Sequence, residues 1–313
     1  MHVFVTGPTG SIGSAVVTEL IASGHRVSGL ARSDASADAL AAAGAEVRRG
    51  TLDDRDLLRA AADAADGTIH LAFDHAKAFG GDFRTAAAEE RSAVEAFGEA
   101  LAGSGRPLVV AVGTGGIAPE GIVATERDGH EIDPAEVGAN SPAARLANAE
   151  LALSFASRGI RSSIVRLPPT AHGEGDPAFI AELVGIARRT GTSGYLGDGS
   201  NRWPAVHRLD AAHLFRLALE RAPAGTTLHA VAEEGVPFRS VAEVIGRHLG
   251  VPVSPVAAED ADRHFDWLGG LVGLDIPVSG ALTRDALGWQ PVRPGLLDDL
   301  EQGHYFRSSV APG

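Results

Sequence analysis

Short β-branched runs alternate with longer stretches whose apolar residues recur every three to four positions through residue 167. The runs predict strands and the amphipathic stretches predict helices. In the first such stretch one helical face carries Ile12, Val16, Val17, Leu20 and Ile21. Repeated strand–helix units are typical of a parallel sheet covered by helices. The predicted strands are His2–Thr6, Arg26–Leu30, Glu46–Arg48, Thr68–Ala72, Pro107–Val112 and Arg161–Leu167.

The pattern changes after Leu167. A stretch rich in glycine and proline encloses a predicted helix at Phe179–Ala187, and a strand at Trp203–His207 and a helix from Asp210 to Arg221 follow. Thr226–Ala232 reads as the last strand of the first sheet. We therefore expect an α/β fold with a doubly wound sheet and a smaller, mostly helical region over its strand ends. The expected boundaries are 1–167 with strand 226–232 for the first domain, and 168–225 with 233–313 for the second.

Charge and composition exclude several classes of protein. Lys and Arg number 27 and Asp and Glu number 40, which gives a net charge of −13 and opposes general nucleic-acid binding. There is no cysteine, hence no disulfide or thiolate chemistry. No long apolar window and no signal-peptide layout occurs. We expect a cytoplasmic protein that acts on a small molecule and binds neither nucleic acid nor membrane.

A glycine-rich turn directly follows the first strand. It reads Thr6-Gly7-Pro8-Thr9-Gly10-Ser11-Ile12-Gly13 and leads into the first amphipathic helix. One glycine allows the tight reversal, one lets the backbone approach a pyrophosphate, and one packs the helix on the strand. The helix N-terminus then offers free N–H groups and its dipole to the phosphates. We predict that Thr6, Gly7 and Thr9 to Gly13 bind a dinucleotide.

The end of the second strand bears on the choice between NADP and NAD. An acidic residue there would bind the ribose 2′-hydroxyl, but the chain reads Ala31-Arg32-Ser33-Asp34. A guanidinium can bond a 2′-phosphate bidentately, and Ser33 adds a donor. NADP is favoured. The alternative is that Arg32 is solvated and Asp34 reaches the ribose of NAD.

Two further segments would complete the cofactor pocket. Leu52 follows the third strand, where the adenine would lie. Leu71-Ala72-Phe73 closes the fourth strand, where small residues let the cofactor approach. With these segments and the glycine turn, the chain resembles the short-chain dehydrogenase/reductase superfamily, in its extended or atypical branch of epimerases and dehydratases. The resemblance is carried by Thr-Gly-x-x-Gly-x-x-Gly, Ile69–Phe73, Val165–Pro169 with His172-Gly173, Ala205–Ala212 and Leu287–Pro291.

This resemblance covers almost the whole chain and implies a Rossmann sheet with a C-terminal substrate cap. It also implies that Pro169 and Thr170 touch the cofactor and that a homodimer through paired helices is common. Family members usually carry Tyr-x-x-x-Lys, in which the tyrosine is the acid or base and the lysine lowers its pKa. Here Pro142 and Leu146 stand in those positions, and the single lysine, Lys77, has no tyrosine four residues before it. The usual proton relay is absent.

Two residues could replace part of that relay. Thr114 follows the fifth strand at or next to the family's Ser/Thr position, so its hydroxyl could bond a substrate carbonyl or imine; alternatively it satisfies loop backbone. His75, helped by Asp74, follows the fourth strand at the ligand-binding edge and could act as an acid. Its alternative is a solvated histidine in a flexible, glycine-rich segment.

The remaining candidates favour structural roles. His172 is expected to be a structural hydrogen bonder, and His207 with Asp210 a buried pair that holds the cap. Trp203, Phe265 and Trp267 could line an apolar pocket, although cap aromatics are usually core. No His-x-x-x-His spacing suggests a metal, and no Gly-x-Ser-x-Gly elbow suggests a serine hydrolase.

The sequence thus favours an NADP-dependent oxidoreductase that transfers hydride to a small or medium carbonyl or imine carbon. The proton would come from His75, from Thr114 through water, or from a substrate that is already an iminium ion. A cofactor-binding sensor or scaffold without turnover remains open. So does an epimerase or lyase that uses bound cofactor catalytically.

Overall fold

A computed structural model describes residues 1–130 and 143–307. Its strands, numbered in chain order, are β1 (His2–Thr6), β2 (Arg26–Ala31), β3 (Glu46–Arg49), β4 (Gly67–His70), β5 (Pro107–Gly113), β6 (Arg161–Leu167), β7 (Thr170–His172), β8 (Ser193–Leu196), β9 (Arg202–His207), β10 (Thr226–His229), β11 (Glu233–Pro237) and β12 (Val253–Val256). Seven of them form one parallel sheet in the order β10-β6-β5-β4-β1-β2-β3. The predicted doubly wound α/β fold is confirmed.

The helices alternate with these strands. They are α1 (Ser11–Ala22), α2 (Asp34–Ala42), α3 (Arg55–Asp63), α4 (His75–Phe79), α5 (Phe83–Leu101), α6 (Ala143–Ser154), α7 (Phe179–Thr190), α8 (Arg208–Arg221), α9 (Phe238–Leu249), α10 (Ala261–Phe265), α11 (Ala281–Leu287) and α12 (Leu296–Glu301). Within the described ranges, none of these helices has the length and apolar character needed to cross a membrane.

The sheet separates two apolar cores. Helices α1 and α8 cover one face, with Val16, Leu20 and Phe215 fully buried against the strands. Helices α3, α5 and α6 cover the other face, around Phe4 and Phe97. Strands β1 and β5 are buried along almost their whole length and read as continuous apolar runs, which is why the sequence predicted their bounds closely. Helix α8 lies in the range expected for the cap but packs with α1, and we propose that it belongs to the nucleotide domain.

A third core belongs to the cap. It packs α7 and α9 around Trp203, Phe238 and Phe265, next to a three-stranded sheet in the order β11-β9-β7 and the pair β12-β8. The predicted strand Thr226–Ala232 is too long, because β10 ends at His229, where the chain leaves the large sheet. The next strand, β11, begins at Glu233, outside the predicted range, and pairs with β9, antiparallel and with a register shift between Glu233 and Val236. A continuous apolar run carries no mark of such a change of sheet.

Candidate functional site

The glycine turn lies where the strand order of the large sheet reverses. Strand β1 has β4 on one side and β2 on the other, and ligands of open α/β sheets bind at the carboxyl ends of such strands. Gly7 has a φ of +64°, and a Cβ there would lie 2.9 Å from the Cα of Ala72. A Cβ on Gly13 would lie 1.9 Å from the carbonyl oxygen of Gly7. The turn therefore needs glycine at both positions.

Behind the turn, a buried polar pair joins β1 to β4. The backbone N–H groups of Leu71 and Ala72 both point at Thr6 Oγ1, 3.3 Å away, so the hydroxyl proton is left for Nδ1 of His70 at 2.7 Å. Nδ1 is then an acceptor and Nε2 carries the proton, with no partner among the described residues. Burial, with a smaller effect of the Arg145 charge, lowers the pKa of His70 to about 3. The ring is therefore neutral and structural.

The end of β2 presents the residues expected to distinguish NADP from NAD. The Arg32 side chain is 79% exposed, and its nearest carboxylate, Asp74, lies 4.0 Å away. Ser33 caps α2 by accepting from the backbone of Ser36, and Asp34 pairs with Arg49. A loosely held guanidinium is free to bond an anion. Asp34, by contrast, is already paired, which weakens the alternative in which it binds a ribose.

The other predicted cofactor residues divide into two groups. Leu52, Leu71, Ala72, Phe73 and Pro169 are half-buried at the carboxyl edge and can present surface to a ligand. Thr170 is different, because it is buried and its hydroxyl donates to the carbonyl of Pro204 in β9. That side chain serves the small sheet, so any contact with a cofactor would be limited to its backbone.

Thr114 and His75 differ sharply in environment. Thr114 is 3% exposed, its backbone N–H donates to Leu167, and its hydroxyl has no partner among the described residues. His75 is exposed and begins α4, with its ring between those of Phe73 and Phe79. Partial desolvation by these neighbours, and then the charge of Arg145, lowers the pKa of His75 below its ordinary value. It is therefore neutral near pH 7, which opposes the role of acid that the sequence suggested.

A buried ion pair under this edge was not predicted. Glu90 of α5 is 2% exposed and accepts from Arg145 at 3.0 Å and from Asn148 at 2.9 Å, both in α6. Arg145 also donates to the carbonyl of Ala111 in β5 and stacks over Phe73, 3.9 Å from the ring centre. Arg145 is the single basic residue of α6, next to the position expected for lysine. The sequence pattern was compared only with a lysine at the family's spacing, so Arg145 was not predicted.

The single lysine and the two tyrosines have other partners and do not form the family's Tyr–Lys proton relay. Lys77 pairs with Glu89 of α5. Tyr195 and Tyr305 belong to the cap core, and Tyr305 donates to Gly173 and Asp176 while burial raises its pKa. Pro142, which stands at the family's tyrosine position, lies outside the described residues.

The candidate structural histidines hold the cap together. His172 is fully buried, with Nδ1 2.9 Å from Asp299 of α12. His207 and Asp210 do not form the expected pair. His207 accepts from the backbone of Leu209, whereas Asp210 accepts from the backbone of Val292 and Arg293. His207, the last residue of β9, thus caps α8, whereas Asp210 in the first turn of α8 holds the segment at Val292 and Arg293.

Comparison with known proteins places this geometry in a family. A model described as the NAD-dependent epimerase/dehydratase family matches residues 3–231. The chain belongs to this family. The suspected resemblance to the extended short-chain dehydrogenase/reductase branch is thus confirmed. Family membership supports a nicotinamide dinucleotide, and the cradle around Gly7 and Gly13 fits one.

Three relatives match most or nearly all of this chain. Uncharacterised proteins of Schizosaccharomyces pombe and Saccharomyces cerevisiae are 43% and 44% identical over 306 residues, spanning 98% and 97% of this chain and 100% and 99% of theirs. A ketoreductase of Stigmatella aurantiaca, named for a farnesylated dihydroquinoline oxide, is 27% identical over 85% of this chain and 79% of its own.

Solved structures share the fold. A dTDP-glucose 4,6-dehydratase from Streptomyces venezuelae with NAD bound has a TM-score of 0.74 at 23% identity, covering 96% of each chain. UDP-glucose 4-epimerase from Thermotoga maritima has a TM-score of 0.75 at 18% identity, covering 96% of this chain and 98% of its own. At these identities the likeness concerns the fold.

Proposed function

We propose that the protein is an NADP-dependent oxidoreductase that transfers hydride between the nicotinamide and a small-to-medium carbonyl or imine carbon. The observation that carries this proposal is the buried Thr114 hydroxyl, which lacks a partner among the described residues and follows β5 at the carboxyl edge of the sheet that also carries the glycine turn. A buried hydroxyl without a partner is costly unless a ligand completes its bonding. The ketoreductase relative supports carbonyl reduction within the family.

The cofactor residues have separate tasks in this proposal. The backbone of Thr6, Gly7 and Thr9 to Gly13 holds the pyrophosphate against the N-terminus of α1. Arg32 and Ser33 bond the 2′-phosphate, and Leu52 packs against the adenine. Leu71, Ala72, Phe73, Pro169 and the Thr170 backbone border the nicotinamide. Bound NADPH supplies the hydride that reduces the substrate carbon.

Thr114 and His75 act on the substrate rather than on the cofactor. The Thr114 hydroxyl donates a hydrogen bond to the carbonyl oxygen or imine nitrogen, which orients the reacting carbon. His75 is neutral, so it can contribute a hydrogen bond but no imidazolium proton. The proton for a ketone then reaches the oxygen through water ordered by Thr114. An iminium substrate needs no such proton, and the neutral His75 therefore favours imine reduction among the options.

The decisive first measurement is a fluorescence titration with NADPH and, separately, NADH. Micromolar binding with NADPH preferred by about tenfold, or about 1.4 kcal/mol, supports the proposal. Turnover of a matched ketone and cyclic imine is then compared in wild type, Thr114→Val and His75→Ala. Activity on the ketone alone would reject the imine preference, and binding of neither dinucleotide would reject the enzyme.

Two other functions predict different outcomes. A sensor or scaffold would bind NADP tightly, consume no hydride over a broad substrate panel, and retain a protein partner in a pull-down. An epimerase or lyase would change its substrate while leaving net NADPH constant. The ketoreductase relative favours the oxidoreductase over both.

Assembly and location extend the proposal. A homodimer is common in the superfamily, and sedimentation measures it directly. A chain without cysteine suits a reducing compartment, and we propose the cytoplasm, which fractionation of the source cells tests.

A further inference from the structure

Five rings form a continuous aromatic wall from the end of β4 into the cap. These residues, called the aromatic wall below, are Phe73, His75, Phe79, Trp267 and Phe179. Neighbouring ring centres lie 5.0 Å apart for Phe73 and His75 and 5.7 Å for His75 and Phe79. Trp267 lies 4.6 Å from Phe79 and 5.5 Å from Phe179. The wall thus runs from the end of β4 through α4 to residues of the cap.

Two large apolar rings of the aromatic wall are exposed to solvent. Phe79 is 45% and Trp267 is 41% exposed, and among the described residues they are the only exposed Phe, Trp or Tyr side chains. The other two tryptophans, Trp203 and Trp289, are buried in cores. Two exposed rings that contact each other, rather than lying singly at scattered sites, indicate a binding surface.

The backbone beside Trp267 is strained. Asp266 has a φ of 52° and a ψ of −132°, and within the described ranges it is the one non-glycine residue with positive φ. Such conformations are costly and persist mainly at functional sites. The Asp266 side chain accepts from Arg189 at 2.7 Å. Asp266 directly precedes Trp267, so the strained backbone marks this end of the wall as a candidate functional site.

Two arginines at the wall are already paired with carboxylates, and Arg32 is assigned above to the cofactor. Arg189, the cation beside Trp267, is shared between Glu182 and Asp266. Arg145, the cation beside Phe73, pairs with the buried Glu90 at 2.9 Å. A diphosphate needs cations that are not already neutralised, whereas planar apolar groups need only ring faces.

We propose that the aromatic wall binds the body of a planar, apolar carbonyl or imine substrate by stacking on Trp267 and Phe79. The inference rests on the proposed function, because Thr114 would receive the reacting group of the same molecule. It assigns a substrate class, aromatic or polycyclic and uncharged.

The test is calorimetric titration of the protein saturated with NADP, in the oxidised form so that a ketone cannot react. The probes are methyl naphthyl ketone, its saturated analogue methyl decalinyl ketone, and UDP-glucose. We expect the naphthyl ketone to bind most tightly. Trp267→Ala should weaken it by about tenfold, Trp267→Phe by less, because a ring face remains. The decalinyl ketone should be much less affected.

The control is Val292→Ala, which alters an apolar side chain that is 79% exposed elsewhere. It should leave all affinities unchanged, and NADP affinity should be equal in every variant, which shows that each is folded. Tighter binding of UDP-glucose, or equal binding of the naphthyl ketone to wild type and Trp267→Ala, overturns the inference. So does a change of oligomeric mass in Trp267→Ala without an effect on ligand, which assigns the surface to a second copy.

Failure of the proposed function would give a different result from failure of the inference about the aromatic wall. If the wild type binds no NADP, the enzyme proposal falls, and titration of the cofactor-free protein with the same ketones still decides whether the wall binds planar ligands.

Discussion

The two ends of the candidate site differ in which atoms form them, backbone at one end and side chains at the other. At the β1–β2 end the geometry lies in the backbone, since glycines 7 and 13 leave no space for a side chain. At the β4–β5 end it lies in side chains, above all the buried Glu90–Arg145 pair under Phe73. The first end suits a ligand that is always the same, a dinucleotide. The second can vary with the substrate while the scaffold stays constant.

The largest effect is expected at the backbone end. Gly13→Val places a side chain where even a Cβ would lie 1.9 Å from the Gly7 carbonyl oxygen. Because the backbone of the turn cannot move aside without a large energetic cost, NADPH affinity should fall by more than about a hundredfold, or about 2.7 kcal/mol. Fluorescence titration measures the loss. Gly185→Ala is the matched control, since its Cβ meets only the flexible end of Arg189 at 3.3 Å. Unchanged affinity in Gly13→Val would mean that the turn does not hold the cofactor.

The next test addresses the side-chain end. Glu90→Leu leaves the Arg145 guanidinium, 14% exposed, without its carboxylate. An unpaired buried charge costs about 3–5 kcal/mol, so the free energy of unfolding in urea should fall by about that amount. Glu95→Gln, which removes an exposed partner of Arg91, should change it by less than about 1 kcal/mol. Equal effects would show that the pair at Glu90 is no more than a surface contact.

A third test separates the two cofactors. Arg32→Ala should weaken NADPH by about tenfold, or about 1.4 kcal/mol, and leave NADH nearly unchanged, because only NADPH carries the 2′-phosphate. Arg48→Ala removes a neighbouring strand arginine that faces Glu46 and serves as the control. A parallel loss of both cofactors would argue against a 2′-phosphate contact.

The smallest effect concerns pH. The folded protein holds the pKa of His70 at about 3, whereas the ordinary value is 6.5. Between about pH 7 and 5.5 the unfolded chain therefore takes up a proton that the folded state does not. His70 alone should lower the free energy of unfolding by about 1 kcal/mol over this interval. Stability rises again as the pH rises.

His70→Asn removes this contribution, so its urea midpoints should vary less with pH than those of wild type. Thr18→Ala, which changes an exposed side chain without a titratable group, should keep the wild-type dependence. Identical pH profiles for His70→Asn and wild type would show that His70 titrates normally in the fold.

The contrast between the two ends also explains what the sequence could reveal. Requirements met by the local backbone, such as the turn at Gly7 and the apolar runs of β1 and β5, are visible within a few residues. Glu90 and Arg145 are 55 positions apart, and their pairing depends on how α5 and α6 pack. Likewise, the contact between Phe79 and Trp267 exists only because the cap folds onto α4. Long-range side-chain partnerships of this kind leave no local periodicity.

Strand β10 has a consequence for how the chain is made. It completes the sheet beside β6, yet it is synthesised only after β7, α7, β8, β9 and α8. Until residue 229 leaves the ribosome, β6 is an unprotected edge with buried residues along almost its whole length. The two halves therefore cannot mature one after the other. A graft that exchanges caps between relatives must carry β10 along, or it will deliver an open sheet to the cell.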